Sequence, residues 1–342
     1  MRDLRRRQFD LAILLPNSFR AALMAWLAGA RRRVGYDRDG RGFLLTDRVP
    51  VRNLRRKVAA STSREGIPAG GCARKDSRTS VRGDFRTGAT RDSRISDLQS
   101  STFNLHPSVI LGSTLPVKPS KYVPMPLVEY YAELTEAIGC DRPGDRLELF
   151  TTPDCDESVD ERLSSLEIGH MRPLVVLSPG ARYGAAKCWM PDRFAAVADR
   201  LVESEDAAVI VTCGPGEEQI ARTIGAQMNR PGHVFDNPRL TLGELKSLIR
   251  RCDLLICNDA GPRHFAKAFG VPVVTVFGPT HPDWTATSYA AERIVRINVD
   301  CGPCQQRTCP LGHLNCMTGV TVEMVFEAAA GLLHDRVKQG VG

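Results

Sequence analysis

A chain of 342 residues is long enough for two domains of ordinary size. Hydrophobic residues make up 42% and charged residues 25% of it, which excludes wholesale disorder. No apolar run is long enough to cross a bilayer, and the basic start is followed by an apolar stretch that Pro16, Asn17 and Arg20 interrupt, a poor secretory signal. We therefore expect a cytoplasmic protein whose eleven cysteines are thiols or metal ligands rather than a disulfide framework.

The positive charge is concentrated towards the amino terminus. Residues 1–98 carry 23 Lys and Arg against 10 Asp and Glu, whereas residues 99–342 carry 23 against 29. A basic front suits nucleic acid, an anionic membrane surface or an anionic lipid substrate. It is equally typical of a soluble, arginine-rich stretch with no partner.

The first elements form a strand–helix–strand unit. Residues 9–15 have the near-continuous apolar character of a buried strand. Ser18 can cap a helix over residues 19–28, which Gly29 ends. Residues 33–36 then predict a second short strand.

Residues 52–121 have a different composition. Ser, Thr, Arg, Gly and Asp dominate, and neither the strand nor the helix period persists, so we expect a disordered insertion or an aberrant segment. A helix is predicted over residues 128–138. The amino-terminal domain therefore covers residues 1–140, and residues 141–170 are the predicted linker.

From residue 172 onward, strands and helices alternate. Strands are predicted at residues 174–177, 207–212, 254–257 and 271–277. Helices are predicted at residues 191–202, 217–228, 242–251, 262–269 and 322–333, the third of them opened by a capping box. This alternation indicates an α/β fold with a parallel, doubly wound sheet. A second domain then covers residues 171–320, and residues 321–342 form a closing helical segment.

Three of the predicted strand ends carry polar loops that contain glycine. In parallel sheets ligands bind beyond the carboxyl ends of the strands, so these loops face one crevice. The first loop contains Ser178, Gly180 and Lys187, whose ammonium group can offset phosphate charge. A further loop contains Gly278 and Thr280, which we expect at the same edge of the sheet.

The stretch over residues 257–264 is the most informative part of the chain. Pro262 suits the first turn of a helix, where its missing N–H costs nothing, and the amino end of that helix is a site for diphosphate. Gly261 lets a ligand approach the backbone closely. The candidate ligand-binding residues here are Asp259, Ala260, Gly261 and His264, with Glu217 in a turn that can reach a ribose or base.

Several of these motifs together resemble the bacterial family 9 glycosyltransferases. They are Leu177-Ser-Pro-Gly-Ala with Lys187-x-Trp189, Asn258-Asp-Ala-Gly-Pro-x-His264, Phe277-Gly-Pro-Thr280 and the cysteine-rich residues 301–316. The resemblance extends over residues 9–50 and 122–335. Dinucleotide, phosphate-loop and serine-hydrolase signatures are missing from the sequence, which disfavours those classes of enzyme.

The resemblance implies a GT-B fold, in which two Rossmann-like domains enclose the active crevice. The domain over residues 171–320 would hold ADP-heptose, and the amino-terminal half, with Asn17 and Ser18, would face a lipid A-linked core oligosaccharide. The implied reaction is inverting and uses no metal or other cofactor. It adds heptose to the heptosyl-Kdo2-lipid A inner core of lipopolysaccharide, in peripheral contact with the cytoplasmic face of the inner membrane. Lys187 would stabilise the leaving diphosphate.

Family members carry the general-base aspartate in a Gly-Asp loop after their first strand. Here Gly83-Asp84 and Gly144-Asp145 are the only such pairs, and neither follows an apolar strand. We therefore assign no general base and expect an incomplete amino-terminal domain. This observation favours a second hypothesis, a catalytically inactive nucleotide-sugar-binding remnant of the family.

Four cysteines occur within sixteen residues, at positions 301, 304, 309 and 316, with His313 between the last two. The spacing suits a structural zinc site formed by Cys301, Cys304, Cys309 and Cys316. It suits an iron–sulfur centre less well. The same spacing is also consistent with a redox pair or with purely structural thiols. The resemblance includes the cluster without implying a catalytic metal, so we expect none.

A third class is a nucleic-acid-binding protein that uses the arginine-rich front. Single-strand binding requires aromatic side chains among the basic residues. Residues 52–98 contain only Phe85. We therefore expect no nucleic-acid partner.

Overall fold

The computed structural model describes residues 2–51, 108–111, 124–144, 146–166, 168 and 173–338. Most of the predicted insertion over residues 52–121 lies outside these ranges. Within that segment, residues 108–111 form a strand that pairs with the second domain, so this part of the segment belongs to a sheet.

The amino-terminal unit is a small parallel sheet, here called the amino-terminal sheet. Its elements are α1 (Arg2–Arg6), β1 (Leu11–Ile13), α2 (Phe19–Leu27), β2 (Arg32–Tyr36) and β3 (Asp47–Val49). The strand order is β1-β2-β3, and both pairings are parallel. The predicted strand–helix–strand unit is therefore confirmed, and a third strand follows it.

The next helix, α3 (Leu127–Glu136), packs on this sheet through aromatic side chains. The rings of Tyr36 and Tyr130 stack with centroids 3.9 Å apart, and the Tyr36 hydroxyl donates to the Tyr130 carbonyl oxygen over 2.7 Å. This contact joins two segments that are far apart in sequence. The unit nevertheless leaves large apolar side chains exposed, among them Phe19, Trp26 and Phe43.

The second unit is a seven-stranded parallel sheet, here called the carboxyl-terminal sheet. Its strands are β4 (Ser108–Leu111), β5 (Leu174–Ser178), β6 (Ala208–Thr212), β7 (His233–Phe235), β8 (Leu254–Asn258), β9 (Val273–Val276) and β10 (Glu292–Ile297). Their order is β4-β10-β9-β8-β5-β6-β7. From β5 onward this is the doubly wound Rossmann arrangement, with the strand order reversing between β5 and β8.

Helices cover both faces of the carboxyl-terminal sheet. They are α4 (Pro153–Ser164), α5 (Pro191–Glu205), α6 (Glu218–Gln227), α7 (Leu242–Arg251), α8 (Pro262–Phe269), α9 (Asn315–Thr318) and α10 (Val322–Lys338). The five predicted helices begin within one residue of the observed starts, whereas α5 and α10 extend three and five residues beyond their predicted ends. The predicted capping box of α7 is present in both of its hydrogen bonds. The predicted linker over residues 141–170 contains α4, which packs against α7 through the buried Val159.

Alternate residues of each strand pack into different cores. In β5, Val175 and Leu177 belong to the core that α5 and α10 cover, whereas Val176 belongs to the core under α4, α7 and α8. A strand buried on both faces must be apolar at every position, which is why its sequence is a continuous apolar run. None of the helices in the described ranges has both the length and the apolar character that a membrane span requires.

Candidate functional site

The reversal of strand order between β5 and β8 opens a crevice at the carboxyl ends of these strands. In doubly wound sheets this is where ligands bind, because the helices on either side of the reversal lie on opposite faces of the sheet. The loops that follow β5, β8 and β9 are the three loops that the sequence analysis selected. The structure therefore brings them to one edge of the sheet.

An ion pair joins the first two of these loops. Lys187 lies at the end of the 3₁₀ turn Ala185–Lys187, and its Nζ is 2.5 Å from Oδ2 of Asp259 and 3.2 Å from the Asp259 carbonyl oxygen. The two side chains are 11% and 7% exposed. A pair this well shielded from water is screened little by salt. It fixes the lysine ammonium group beside the turn that precedes α8.

The third loop contributes Thr280 to the same carboxylate. The Thr280 hydroxyl donates to Oδ2 of Asp259 over 2.8 Å, and Nη1 of Arg263 is 3.5 Å from Oδ1. Asp259 therefore contacts Lys187, Thr280 and Arg263 at once. Three predicted site residues are brought together here, and Arg263 is an addition that the sequence analysis did not select.

Asn258 and Trp189 hold the lysine loop in place. The Asn258 amide donates to the Pro179 carbonyl oxygen over 2.6 Å and accepts from the Trp189 N–H over 3.2 Å. The Trp189 indole, which is 1% exposed, donates to the Val320 carbonyl oxygen over 3.1 Å. With both ends of the loop secured, Lys187 is held in position before any ligand arrives, and such preorganisation strengthens electrostatic stabilisation.

Beneath the site lies a buried charge cluster formed by Arg263, Lys267, Thr275 and Glu292. The carboxylate of Glu292 is 2.5 Å and 3.1 Å from Arg263 nitrogens and 2.7 Å from Nζ of Lys267. Thr275 donates to the same carboxylate over 2.8 Å. The i,i+4 spacing of the two cations on α8 is a sequence signal for a shared face, but their acidic partner is contributed by a distant strand.

His264 lies in the first turn of α8 and is half-buried. Burial lowers its pKa to about 4, and the neighbouring Arg263 and Lys267 cations act in the same direction. The imidazole is therefore neutral at pH 7 in the folded protein. A neutral ring can accept a hydrogen bond from a sugar hydroxyl, which an imidazolium cannot.

The lowered pKa of His264 predicts an acid-dependent loss of stability. As the pH falls from 6.5 towards 4, the unfolded chain takes up a proton that the folded chain rejects, so unfolding becomes easier. Across that pH range we expect the free energy of unfolding to fall by on the order of 3 kcal/mol more in the wild type than in His264→Gln. Urea unfolding at several pH values measures this difference. Equal pH dependence in the wild type and the His264 variant would contradict the assignment.

The other predicted donor-side residues take defined places around this edge. Ser178 is buried at the end of β5, and Ala260 lies between Asp259 and Gly261. The Glu217 carboxylate accepts from the Gly214 N–H over 2.9 Å and lies against Gly180, so it joins two loops.

The two remaining glycines of the loops differ in the space around them. A Cβ at Gly278 would collide with Met317. No heavy atom of the described chain lies within 4 Å of a Cβ at Gly261, which leaves open space at that position.

The two predicted acceptor-side residues make structural contacts in the amino-terminal unit. Ser18 is the N-cap of α2, as predicted, and its hydroxyl accepts from the Ala21 N–H over 3.2 Å. The Asn17 side-chain oxygen accepts from Nη2 of Arg41 over 3.0 Å and from the Tyr130 hydroxyl over 2.5 Å. Arg41 is fully buried. Neither contact tests the acceptor role, and both Gly-Asp aspartates, Asp84 and Asp145, lie outside the described residues.

The cysteine-rich loop supports the donor-side loops from outside. The Arg307 carbonyl oxygen accepts from the Ala186 N–H over 3.1 Å, and the Tyr183 hydroxyl donates to the Gln305 carbonyl oxygen over 2.7 Å. Sγ of Cys301 is 3.9 Å from Nε2 of His313. Every cysteine in the described ranges is a free thiol, and in the same ranges no three His, Cys, Asp or Glu side chains converge as metal ligands. The thiol and metal roles of the cluster remain predictions.

Comparison with known proteins identifies the family. The pattern of glycosyltransferase family 9 (heptosyltransferase) matches residues 1–62 and 107–315. Lipooligosaccharide heptosyltransferase 2 of Campylobacter jejuni is 35% identical over 169 residues, 48% of this chain and 52% of that protein. Lipopolysaccharide heptosyltransferase 2 of Salmonella typhimurium is 22% identical over 337 residues, 97% of this chain and 78% of that protein. The chain matches about half the length of the Campylobacter relatives.

Solved structures show the same fold. Escherichia coli ADP-heptose LPS heptosyltransferase II superposes with a TM-score of 0.61 at 20% identity, covering 98% of this chain and 79% of that one. The family 9 glycosyltransferase of Veillonella parvula gives 0.63 at 19% identity, covering 97% and 77%. The predicted GT-B, α/β class is confirmed. With the family pattern matching most of its residues, the chain belongs to glycosyltransferase family 9.

Proposed function

We propose that this chain is a heptosyltransferase that moves L-glycero-D-manno-heptose from ADP-heptose to the heptosyl-Kdo2-lipid A inner core. The observation that carries the proposal is the shielded Lys187–Asp259 pair at the strand-order reversal of the carboxyl-terminal sheet. The names of the similar Campylobacter and Salmonella proteins support heptose transfer in lipooligosaccharide or lipopolysaccharide assembly. We propose no cofactor and no nucleic-acid partner.

The donor diphosphate is placed against Lys187 and the amino end of α8. An ammonium group has three N–H donors, and in the described part of the chain two acceptors, both on Asp259, engage this one. The third donor suits a phosphate oxygen. The partial positive charge at the amino end of the eight-residue α8 adds to the attraction. His264, neutral in the same turn, is placed to contact the heptose.

The proposed reaction is a single displacement with inversion. An acceptor hydroxyl oxygen attacks the anomeric carbon from the face opposite ADP, while the bond between that carbon and the diphosphate oxygen breaks. Negative charge develops on the departing diphosphate, and Lys187, held by Asp259, offsets it in a site with little water. The hydroxyl proton passes to a base that we assign to no described residue.

The acceptor is placed on the amino-terminal unit, in peripheral contact with the cytoplasmic face of the inner membrane. Two features support this assignment. The excess of Lys and Arg over residues 1–98 suits a phosphorylated, anionic lipid. Phe19, Trp26 and Phe43 are exposed on the same unit, and aromatic side chains of this kind favour the membrane interface.

The proposal is tested by calorimetric titration of the whole chain with ADP-heptose, with UDP-glucose as the control. Selective binding of ADP-heptose, followed by transfer of heptose to heptosyl-Kdo2-lipid A, is the expected result. Equal binding of the two sugar nucleotides, or binding of neither, would contradict the donor assignment. Binding without transfer would identify the chain as the inactive remnant.

A glycine substitution tests the position of the donor independently of charge. Gly261 has a φ of −52°, which any residue adopts, and open space at its Cβ position. We expect Gly261→Ala to change the free energy of unfolding by less than about 0.5 kcal/mol while weakening ADP-heptose binding about tenfold, since the new methyl group occupies ligand space. In Gly180→Ala the new methyl group would instead collide with the Glu217 carboxylate, so this variant should be less stable than the wild type. Unchanged affinity in Gly261→Ala would place the ligand elsewhere.

A further inference from the structure

A large cavity lies at the opposite edge of the carboxyl-terminal sheet from the Lys187–Asp259 pair. Its volume is about 860 Å³, within the range of small-molecule sites. The wall includes the carboxyl end of α8 with Gly270, the segments that lead into β9 and β10, and the last turns of α10. These are the amino-terminal ends of the strands, so the cavity is separate from the donor site.

The wall of this cavity is rich in positive charge. It contains five cationic residues and a single acidic residue, Asp335; the cations are Arg146, Arg250, Lys267, Arg293 and Arg336. The acidic partners of three of them, Asp156, Asp253 and Glu292, are not part of the wall. The wall of the cavity therefore carries more positive than negative charge, because three of its cations have their acidic partners outside the wall.

The cations differ in how strongly their ion pairs hold them in place. Lys267 is buried and ion-paired with Glu292, so it belongs to the charge cluster beneath the donor site. Arg293 pairs with Asp335 at 3.5 Å, with both side chains substantially exposed. Exposed pairs of this length contribute little, so Nη2 of Arg293 can exchange Asp335 for a better partner, while Nη1 donates to the carbonyl oxygens of Ala290 and Glu292. Arg146 is exposed and lies outside the helices and strands.

Two hydroxyl groups of the same wall have no hydrogen-bond partner among the described residues. Oγ1 of Thr287 and Oη of Tyr289 are buried without one in the described chain. Burial raises the pKa of Tyr289 to about 12, so its hydroxyl keeps its proton and can donate. An unpaired buried donor is costly, and a ligand oxygen bound to it would remove that cost.

We propose that this cavity is a binding site for a phosphate-bearing anion. Phosphate oxygens match what the wall offers, because guanidinium groups bind them in a bidentate manner and hydroxyl groups donate to them. Apolar residues of the wall, such as Phe269 and Leu332, suit a ligand with an organic portion beside its phosphate. The headgroup of an anionic phospholipid and a soluble phosphate compound share this chemistry. The site is separate from the donor crevice and does not depend on the proposed transferase activity.

The experiment uses the whole chain and two probes, inorganic pyrophosphate by calorimetry and vesicle co-sedimentation. The vesicles contain phosphatidylcholine with or without phosphatidylglycerol. The test variant Arg146→Gln/Arg293→Gln removes two guanidinium groups from the cavity. The control Arg230→Gln removes an exposed arginine that lies outside the cavity wall and pairs with Glu203 over 2.6 Å. Lys187→Ala reports on pyrophosphate bound in the donor crevice.

We expect the double variant to bind at least one probe about tenfold more weakly, while Arg230→Gln binds both probes like the wild type and Lys187→Ala loses only the pyrophosphate that binds in the donor crevice. A loss confined to pyrophosphate identifies a soluble phosphate compound, and a loss confined to phosphatidylglycerol vesicles identifies a lipid headgroup. If the double variant has a lowered Tm, Arg146→Glu alone gives the same comparison, because that residue lies outside the folded elements. Binding of neither probe by the wild type, undiminished binding in the cavity variants, or loss only in Lys187→Ala would overturn the proposal.

Discussion

Lys187→Ala is expected to lower kcat/KM for heptose transfer by about two to three orders of magnitude. The ammonium group is held 2.5 Å from the Asp259 carboxylate, at the edge where the donor diphosphate is proposed to lie. Its loss removes the positive charge that offsets the leaving group and frees a carboxylate that repels phosphate. Both effects are larger in the transition state, so kcat should fall more than the affinity for ADP-heptose. Steady-state kinetics with heptosyl-Kdo2-lipid A as acceptor measure the change.

Lys246→Ala is the matched control for this substitution. Lys246 lies on α7, where its ammonium group donates to the Phe150 carbonyl oxygen over 2.7 Å, away from the three donor-side loops. We expect its kinetics to equal those of the wild type. If both lysine variants lose the same fraction of activity, Lys187 does not belong to the donor site. Urea unfolding of both variants separates a catalytic loss from a loss of folded protein.

Glu292→Gln is expected to cause the largest loss of stability among single substitutions near the site. The carboxylate neutralises Arg263, which is 0% exposed, and Lys267, which is 7% exposed. Removing its charge leaves two buried cations without compensation, and breaking a buried pair in this way costs about 3–5 kcal/mol. The free energy of unfolding in urea measures the effect. Because Arg263 also contacts Asp259, the affinity for ADP-heptose should fall in the same variant.

A surface ion pair supplies the comparison for Glu292. Glu323 pairs with Arg200, and the two side chains are 57% and 34% exposed. We expect Glu323→Gln to cost less than about 1 kcal/mol, since water replaces the partner. Similar losses in the two glutamine variants would show that the buried cluster is not the main electrostatic support of the site.

Local sequence was sufficient for the apolar strands of the carboxyl-terminal sheet and for most of the helices that cover it. The Pro262 start and Gly270 end of α8 and the capping box at Thr241 are governed by backbone geometry within a few residues, and each is present in the structure. The alternation of apolar runs with helices likewise led to the correct fold class. Strands without a continuous apolar run were missed, among them β7, which has only three residues, and β10, in which Glu and Arg interrupt the apolar residues.

Only part of the candidate site could be predicted from the sequence. Lys187, Asp259 and Thr280 were selected because each follows a predicted strand, and the strand order then brought them into contact. Arg263 and Glu292 were not predicted to be site residues, since Arg263 stands at the unspecified position of the motif that ends at His264 and Glu292 lies outside the three loops. A charged residue in an amphipathic helix is normally solvated, and its sequence does not reveal that a carboxylate from another strand lies beneath it.

The amino-acid sequence alone was enough to establish the apolar strands and the longer helices on either side of the crevice, the loops with ligand-binding chemistry and the family resemblance. These depend on interactions between residues close in the chain, or on motifs that a short stretch contains in full. The tertiary structure alone decided which charges meet: Lys187 with Asp259, and Arg263 and Lys267 with Glu292. Such pairs join residues up to 72 positions apart, and their formation depends on strand order and on burial, which no local pattern encodes.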